Sequence, residues 1–177
     1  AIEVADFETH GQFILEKIDA AYQSGLLQLK EQFVNHEMKL VYTPLHGAGL
    51  VPVREGLKAF GFENVHIVAE QAVQDGAFPT VSYPNPEEAA AFSMAMELGQ
   101  QVGADLLLAT DPDADRLGVA VRNGNTYELL TGNQLGALLL NYILQTKQLN
   151  GTLPDNGVML KTIVTSELGT QIASHYG

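Results

Sequence analysis

Three aspartates crowd the turn between two apolar runs, in the stretch LLLATDPDADRLGVAV at residues 106–121. Asp111, Asp113 and Asp115 are each separated by one residue, and Arg116 follows them directly. Two carboxylates about 4 Å apart repel each other by roughly 4 kcal/mol at an effective dielectric constant of about 20. The cluster therefore needs a cation to neutralise it, and the two candidates are a divalent metal ion and Arg116.

The spacing Asp-x-Asp-x-Asp supplies hard oxygen ligands on a short tether, which suits Mg²⁺ or Ca²⁺. An EF-hand loop needs glycine at its sixth position and an acid at its twelfth, but counting from Asp111 those positions hold Arg116 and Arg122. The motif of haloacid-dehalogenase-type phosphatases resembles Asp-x-Asp-x-Thr or Val, and here Asp115 takes the last place. A solvated turn, in which the aspartates cap backbone N–H groups, is the remaining alternative.

Strands and helices alternate along the chain, which predicts an α/β fold. Apolar and β-branched runs predict strands at 38–43, 64–68, 105–110, 117–121, 126–130 and 157–165. The turn RNGN at 122–125 predicts a hairpin, which makes the sheet mixed. The acidic turn then follows the carboxyl end of a strand, where open α/β sheets bind their ligands.

Helices are predicted from caps and apolar stripes. They cover the first 35 residues with a break near Ser24–Gly25, residues 50–60 up to Gly61, a segment that starts at Asn85–Pro86, one capped by Thr131 and Gln134, and a short one capped by Ser166. A long Gly- and Pro-rich loop spans residues 75–86, and loops of this length are usually functional or mobile.

The charge balance limits the possible partners. With 21 acidic against 9 basic side chains the net charge is -12, which argues against nucleic acid and anionic membranes, because both require basic patches. No apolar run is long enough to cross a membrane, and the N-terminus has no signal pattern. The lack of cysteine excludes disulfides and thiolate sites and fits the cytoplasm. We expect a soluble cytoplasmic protein, and we expect the chain to be a piece of a longer one.

Several segments together resemble the α-D-phosphohexomutase family, the phosphoglucomutases and phosphomannomutases. The segments VYTPLHGAG, DGAFPTVSYPNPEEAAAF, TDPDADRLGVAV, LLTGNQLGALL and KTIVTSELGTQIASHYG occur in that family's order and spacing. They cover nearly everything from residue 38 to the end. These five segments resemble the phosphoglucomutase and phosphopentomutase branch more than the phosphomannomutases.

The resemblance implies a fold like the second domain of that family, a mixed β-sheet packed between helices in three α/β/α layers. Family members have four domains. By this correspondence residues 1–36 are the tail helix of the preceding domain and residues 37–129 are the metal-binding second domain. Residues 130–177 are then the N-terminal part of a truncated third domain.

The resemblance also implies an activity, that of an intramolecular phosphotransferase of the isomerase class in carbohydrate metabolism. In such enzymes a phosphoserine phosphorylates a hexose or pentose phosphate, and the resulting sugar bisphosphate returns its other phosphate to the serine. Asp111, Asp113 and Asp115 would hold Mg²⁺, and Arg116 would contact the phosphoryl group. A fixed cation neutralises the charge on the transferring oxygens.

Other parts of the family's machinery are missing from the chain. It has no motif close to the phosphoserine motif Ser-His-Asn-Pro in its expected place, no sugar-recognising Glu-x-Ser-Gly-His and no basic phosphate clamp. We therefore expect the chain to be inactive alone, with the remaining domains of a parent enzyme as its partners.

His46 lies in the Gly-rich loop PLHGAG, just before a predicted helix N-terminus that favours an anion. It is a candidate substrate-binding residue, and the alternative hypothesis is that it has a structural role. Two other functions also stay open at this point, a stand-alone metal-dependent phosphatase and a non-catalytic module in which the acidic turn only binds a cation.

Overall fold

The protein is represented by a computed structural model that describes residues 15–30 and 35–177. Its helices are α1 (Leu15–Leu27), α2 (Leu50–Phe60), α3 (Ser93–Val102), α4 (Gly132–Leu149) and α5 (Leu168–Tyr176). Its strands are β1 (Leu40–Thr43), β2 (Val65–Ile67), β3 (Leu106–Thr110), β4 (Leu117–Asn123) and β5 (Thr126–Leu130). Short 3-10 turns lie at Ala69–Gln71 and Ala89–Phe92. The predicted α/β class is confirmed.

The five strands form one mixed sheet in the order β2-β1-β3-β4-β5. β1 pairs in parallel with both β2 and β3, whereas β3, β4 and β5 form an antiparallel meander. Because β1 and β3 are parallel neighbours, the loops that follow Thr43 and Thr110 leave the sheet at the same edge. This shared edge brings the Gly-rich loop and the acidic turn together.

The core lies around the central strands. All four residues of β1 are buried, and Leu107 and Ala109 of β3 are fully buried beside them. Phe92 and Ala95, at the start of α3, are also fully buried and belong to the same apolar cluster. A strand that is buried on both faces needs a continuous apolar run, which is what β1 has.

Two predicted helix ends follow local rules and are confirmed. Gly61 ends α2 in the left-handed region, at φ 96°, and its N–H donates to the Lys58 carbonyl at 2.9 Å. At the start of α4, the Thr131 hydroxyl accepts from the Gln134 N–H at 3.2 Å, and the Gln134 side chain accepts from the Thr131 N–H at 2.8 Å.

The helix predicted to start at Asn85–Pro86 begins later. Asn85 accepts from the Glu87 N–H at 3.1 Å, which closes a local turn, and Glu88 is extended at φ −95°, ψ 127°. The α-helical part starts only at Ser93. The predicted break near Ser24–Gly25 is also wrong, because α1 continues to Leu27. The predicted start of that helix, within residues 1–14, lies outside the described residues.

The strand predicted at 157–165 is absent, since the described segment has no strand pairing. Its apolar side chains face solvent, with exposed fractions of 82% for Val158, 90% for Leu160 and 98% for Ile163. A strand needs a neighbouring strand to satisfy its backbone groups, and among the described elements none lies beside this segment. No described helix has the length and apolarity that a membrane span requires.

Candidate functional site

The acidic turn rests on the Gly-rich loop that follows β1. The Ala48 N–H donates to the Pro112 carbonyl at 2.8 Å. A Cβ on Gly47 would overlap the Pro112 backbone and lie 2.7 Å from its carbonyl carbon, so only glycine allows this approach. Beneath the two loops, the buried hydroxyls of Tyr42 and Thr110 are hydrogen-bonded at 2.8 Å. The acidic turn is therefore held at the edge of the sheet by direct backbone contacts with the Gly-rich loop.

The structure brings the three predicted metal ligands together. Asp111 is 2% exposed, whereas Asp113 and Asp115 face solvent. One carboxylate oxygen from each lies within 4.8 Å of the other two. Ala114 adopts φ 62°, a left-handed conformation that non-glycine residues seldom take, and its N–H donates to the Asp111 carbonyl at 3.0 Å. This tight turn folds Asp115 back toward Asp111.

Arg116 neutralises the buried member of the cluster. Its backbone N–H donates to Asp111 Oδ1 at 3.0 Å, and its Nε donates to Oδ2 at 2.8 Å. Burial alone would raise the pKa of Asp111, but the hydrogen bonds and positive charge of Arg116 outweigh it and leave that pKa lowered. The hydrogen bond with Asp111 in turn raises the pKa of Arg116.

The other two aspartates remain undercompensated. The negative charges of Asp113 and Asp111 raise the pKa of Asp115, and Arg116, with its Nε 3.7 Å from Asp115 Oδ1, offsets this only in part. Three carboxylates against one guanidinium leave two negative charges in the turn. This charge matches that of a divalent cation.

The donor set fits such a cation. Carboxylate oxygens are the ligands that Mg²⁺ prefers, and around an ion with bonds of about 2.1 Å they lie roughly 3 to 4 Å apart. Oxygens that are within 4.8 Å of one another reach this spacing with small side-chain movements. Asp111, Asp113 and Asp115 could hold the ion and leave the rest of its shell to water or a phosphate.

His46 is buried and fully engaged within the protein. Its Nδ1 donates to the Val73 carbonyl at 2.8 Å, so in the neutral ring Nε2 accepts from the Thr80 hydroxyl, also at 2.8 Å. Gln71 extends this chain, because it donates to Thr80 at 3.1 Å and accepts from the Thr43 hydroxyl at 2.6 Å. The geometry supports the structural reading of His46, which ties the loop after β2 to the end of β1. Substrate contact by His46 stays a prediction.

The chain is similar in sequence to proteins of a known family. A family model described as phosphoglucomutase/phosphomannomutase, alpha/beta/alpha domain II, matches residues 19–124. The chain belongs to this family. The predicted resemblance and the layered α/β/α fold are therefore confirmed, and so is the assignment to phosphohexomutases.

Full-length relatives are much longer than this member of the phosphoglucomutase/phosphomannomutase family. The phosphoglucomutase of Staphylococcus haemolyticus is 36% identical over 163 residues, which cover 91% of this chain and 29% of the relative. That of Staphylococcus aureus strain MRSA252 is 43% identical over 141 residues, which cover 78% of this chain and 25% of the relative. The chain thus spans between a quarter and a third of these phosphoglucomutases.

A solved structure supports the fold of this phosphoglucomutase/phosphomannomutase chain. A family protein from Burkholderia thailandensis superposes with a TM-score of 0.59 at 20% identity, and the match covers 72% of this chain and 26% of that one. At this identity the likeness concerns the fold alone.

Asn85 is a site residue that the sequence did not reveal in this family member. Its side-chain oxygen accepts from Arg116 Nη1 at 3.2 Å, across 31 residues of sequence. Pro86, Glu87 and Glu88, which follow it, are typical of a first helical turn and favoured the interpretation of Asn85 as a helix cap. The signal that could have found it is its place in the long loop at 75–86, where functional residues are common.

We predict that Asp115→Asn stabilises the metal-free chain at neutral pH. The folded-state pKa of Asp115 is raised, so its ionised form is penalised by folding, and this penalty disappears as the pH falls through that pKa. The melting temperature should therefore rise at pH 7 and approach that of the wild type in acid. In excess Mg²⁺ the wild type should instead have the higher melting temperature, because the variant lacks one of the three proposed carboxylate ligands and gains less stability from the ion. Asp155→Asn, an exposed change of equal charge, is the control, and a lower metal-free melting temperature for Asp115→Asn at pH 7 would contradict the prediction.

Proposed function

We propose that this chain is the Mg²⁺-binding part of a phosphosugar mutase, an intramolecular phosphotransferase that works through a phosphoserine and a sugar bisphosphate. The supporting observation is the convergence of Asp111, Asp113 and Asp115 beside Arg116 at one sheet edge, in a member of the phosphoglucomutase/phosphomannomutase family. The substrates are hexose or pentose phosphates.

Each residue has a defined task in this proposal. When bound, Mg²⁺ neutralises negative charge on the transferring oxygens. The three aspartates hold the ion, and Asp111 is kept ionised and oriented by Arg116. The Arg116 side chain is 46% exposed, and its Nη2 makes no hydrogen bond within the described part of the chain. That nitrogen is available to a phosphoryl oxygen, for which a guanidinium is well suited.

The proposed domain organisation has residues 1–36 as the tail helix of a preceding domain, 37–129 as the metal-binding domain and 130–177 as the start of the next domain. In support, all five described strands lie between residues 40 and 130. Beyond them, α4 and α5 are joined to each other, as Tyr176 donates to Asn141 at 3.0 Å. The other domains of the parent enzyme would be the partners, and a cytoplasmic location stays a prediction.

The test compares the chain alone with a hybrid enzyme. In the hybrid, this chain replaces the matching quarter of the Staphylococcus aureus phosphoglucomutase, to which it is 43% identical. We expect the hybrid to interconvert glucose 1-phosphate and glucose 6-phosphate with Mg²⁺, and the isolated chain to do neither this nor phosphate hydrolysis.

Two results would contradict the proposal in different ways. Release of inorganic phosphate from sugar phosphates by the isolated chain would indicate a stand-alone phosphatase. A correctly folded hybrid that has no activity, under conditions where the unmodified enzyme is active, would mean that this chain cannot serve as the mutase's second domain. Circular dichroism and gel filtration of the hybrid establish its folding.

A further inference from the structure

Arg116 is fixed at two of its three guanidinium nitrogens. Nε donates to Asp111 Oδ2 at 2.8 Å, and Nη1 donates to Asn85 Oδ1 at 3.2 Å. The two acceptors belong to different segments, the acidic turn and the loop before α3. Because a guanidinium is planar and rigid, two such bonds determine the direction in which the remaining nitrogen, Nη2, points.

The orientation of the Asn85 amide follows from its partners. Arg116 Nη1 and the Glu87 N–H both converge on the same Asn85 atom, at 3.2 and 3.1 Å. Both are donors, so this atom must be the amide oxygen. Asn85 is 8% exposed, and a buried amide held by two bonds has little freedom to rotate.

The loop that carries Asn85 is itself held against the sheet. A Cβ on Gly118 would overlap the Pro86 carbonyl oxygen and lie 2.8 Å from its carbonyl carbon and 2.9 Å from the Phe92 ring, so the loop packs directly on the backbone of β4. The Glu88 N–H also donates to the Asn85 carbonyl at 3.0 Å. Gly118 lies two residues after Arg116, and this contact therefore sets Asn85 beside the guanidinium.

A second acceptor is needed because other anions compete for Arg116. Asp115 Oδ1 lies 3.7 Å from Nε, and a guanidinium anchored at Nε alone could turn toward the exposed carboxylates. Such a turn would neutralise the metal ligands and remove Nη2 from its position. The neutral amide of Asn85 holds Nη1 away from them without adding charge.

We propose that Asn85 is a positioning residue, whose side-chain oxygen fixes the Arg116 guanidinium with Nη2 left free for an anionic ligand. The consequence for phosphoryl transfer rests on the proposed function, whereas the positioning of the guanidinium does not.

The experiment is ¹⁵N NMR of the arginine guanidinium groups in the 177-residue chain. The chain has only Arg54, Arg116 and Arg122, and single Arg→Lys variants assign their signals. Arg122 is an internal control, since it is likewise anchored twice, with Nε on the Ala104 carbonyl at 2.8 Å and Nη2 on Tyr127 Oη at 3.2 Å.

Asn85→Ser separates positioning from loop structure. Serine can accept from the Glu87 N–H in the same kind of turn but is too short to reach Arg116. We expect proton exchange and bond rotation at Arg116 Nη1 to become about tenfold faster, since a hydrogen bond to a charged group is lost, while Nε and Arg122 are unchanged. Asn85→Asp keeps an acceptor, now charged, and should slow exchange at Nη1 further.

Unchanged exchange at Arg116 in Asn85→Ser would overturn the proposal, and so would equal acceleration at Arg116 and Arg122, which would indicate general loosening. If Asn85→Ser does not fold, Asn85→Asp decides, and an unchanged or faster rate at Nη1 overturns the proposal. These signals are recorded on the metal-free chain and do not depend on mutase activity. A negative result here leaves the proposed function standing, and an inactive hybrid leaves the positioning of Arg116 standing.

Discussion

Gly47→Ala should destabilise the chain by about 1–3 kcal/mol or more and displace the acidic turn. The new methyl group would overlap the backbone of Pro112, including its carbonyl carbon at 2.7 Å. Backbone atoms cannot rotate away as a flexible side chain can, so the two loops must separate. Separation would also break the bond from the Ala48 N–H to the Pro112 carbonyl, and Mg²⁺ binding measured by calorimetry should weaken together with stability in urea.

Gly76→Ala is the matched control for this prediction. Gly76 is also a loop glycine, and its φ lies outside the left-handed region. Apart from its two chain neighbours, no atom of the described residues lies within 4 Å of the position that a Cβ would take. Its replacement should leave stability within about 0.5 kcal/mol of the wild type. Equal stability and metal affinity for Gly47→Ala and Gly76→Ala would show that the contact with Pro112 does not support the turn.

Features determined by nearby residues could be predicted from the sequence. The capping pair Thr131 and Gln134 and the terminating Gly61 act within a few residues of the helix ends that they define. The apolar content of β1 reflects its burial on both faces. The acidic cluster was also predictable, because the one-residue spacing of Asp111, Asp113 and Asp115 lets a tight turn bring them together. The support of that turn by Gly47 and Ala48 depends on a distant segment.

Features that depend on distant residues could not be predicted in this way. Asn85 and Pro86 have the local signature of a helix start. They are held in a separate turn by contacts with Arg116 and Gly118, which follow α3 in the sequence. His46 is hydrogen-bonded to Val73 and Thr80, which lie in another loop. No rule of sequence spacing connects these two residues to His46. In each case a tertiary contact outweighed local preference.

The strand predicted at 157–165 was wrong because a required tertiary contact is missing among the described residues. Its β-branched and apolar residues have the composition of a strand, yet Ile163 and Val164 are 98% and 83% exposed. Composition indicates that a segment can pair in a sheet, but pairing also requires a neighbouring strand with free backbone groups. The described part of the chain supplies none at this place.

Asp113→Asn should strongly reduce the metal-dependent activity of the hybrid enzyme while leaving the fold intact. Asp113 is exposed, and its side chain makes no hydrogen bond within the described residues, so the isosteric amide removes the charge of a proposed ligand and no hydrogen bond. We expect Mg²⁺ affinity of the isolated chain to fall by about tenfold or more, because Asp113 is one of the three carboxylates that converge here among the described residues. Mutase turnover of the hybrid should fall by about a hundredfold or more, comparable to the loss of other preorganised charge stabilisers.

Asp111→Asn would be a poorer test, because it also breaks the buried pair with Arg116, and its effects on stability and on metal binding would be mixed. Asp155→Asn provides the matched control, as it removes the same charge from an exposed position remote in sequence from the turn. If turnover of the hybrid is the same for Asp113→Asn and Asp155→Asn at saturating Mg²⁺, the acidic turn takes no part in phosphoryl transfer. Because neither Asp113 nor Asp155 takes part in the hydrogen bonds of Arg116, a difference between the two variants isolates the charge at the candidate metal site as its cause.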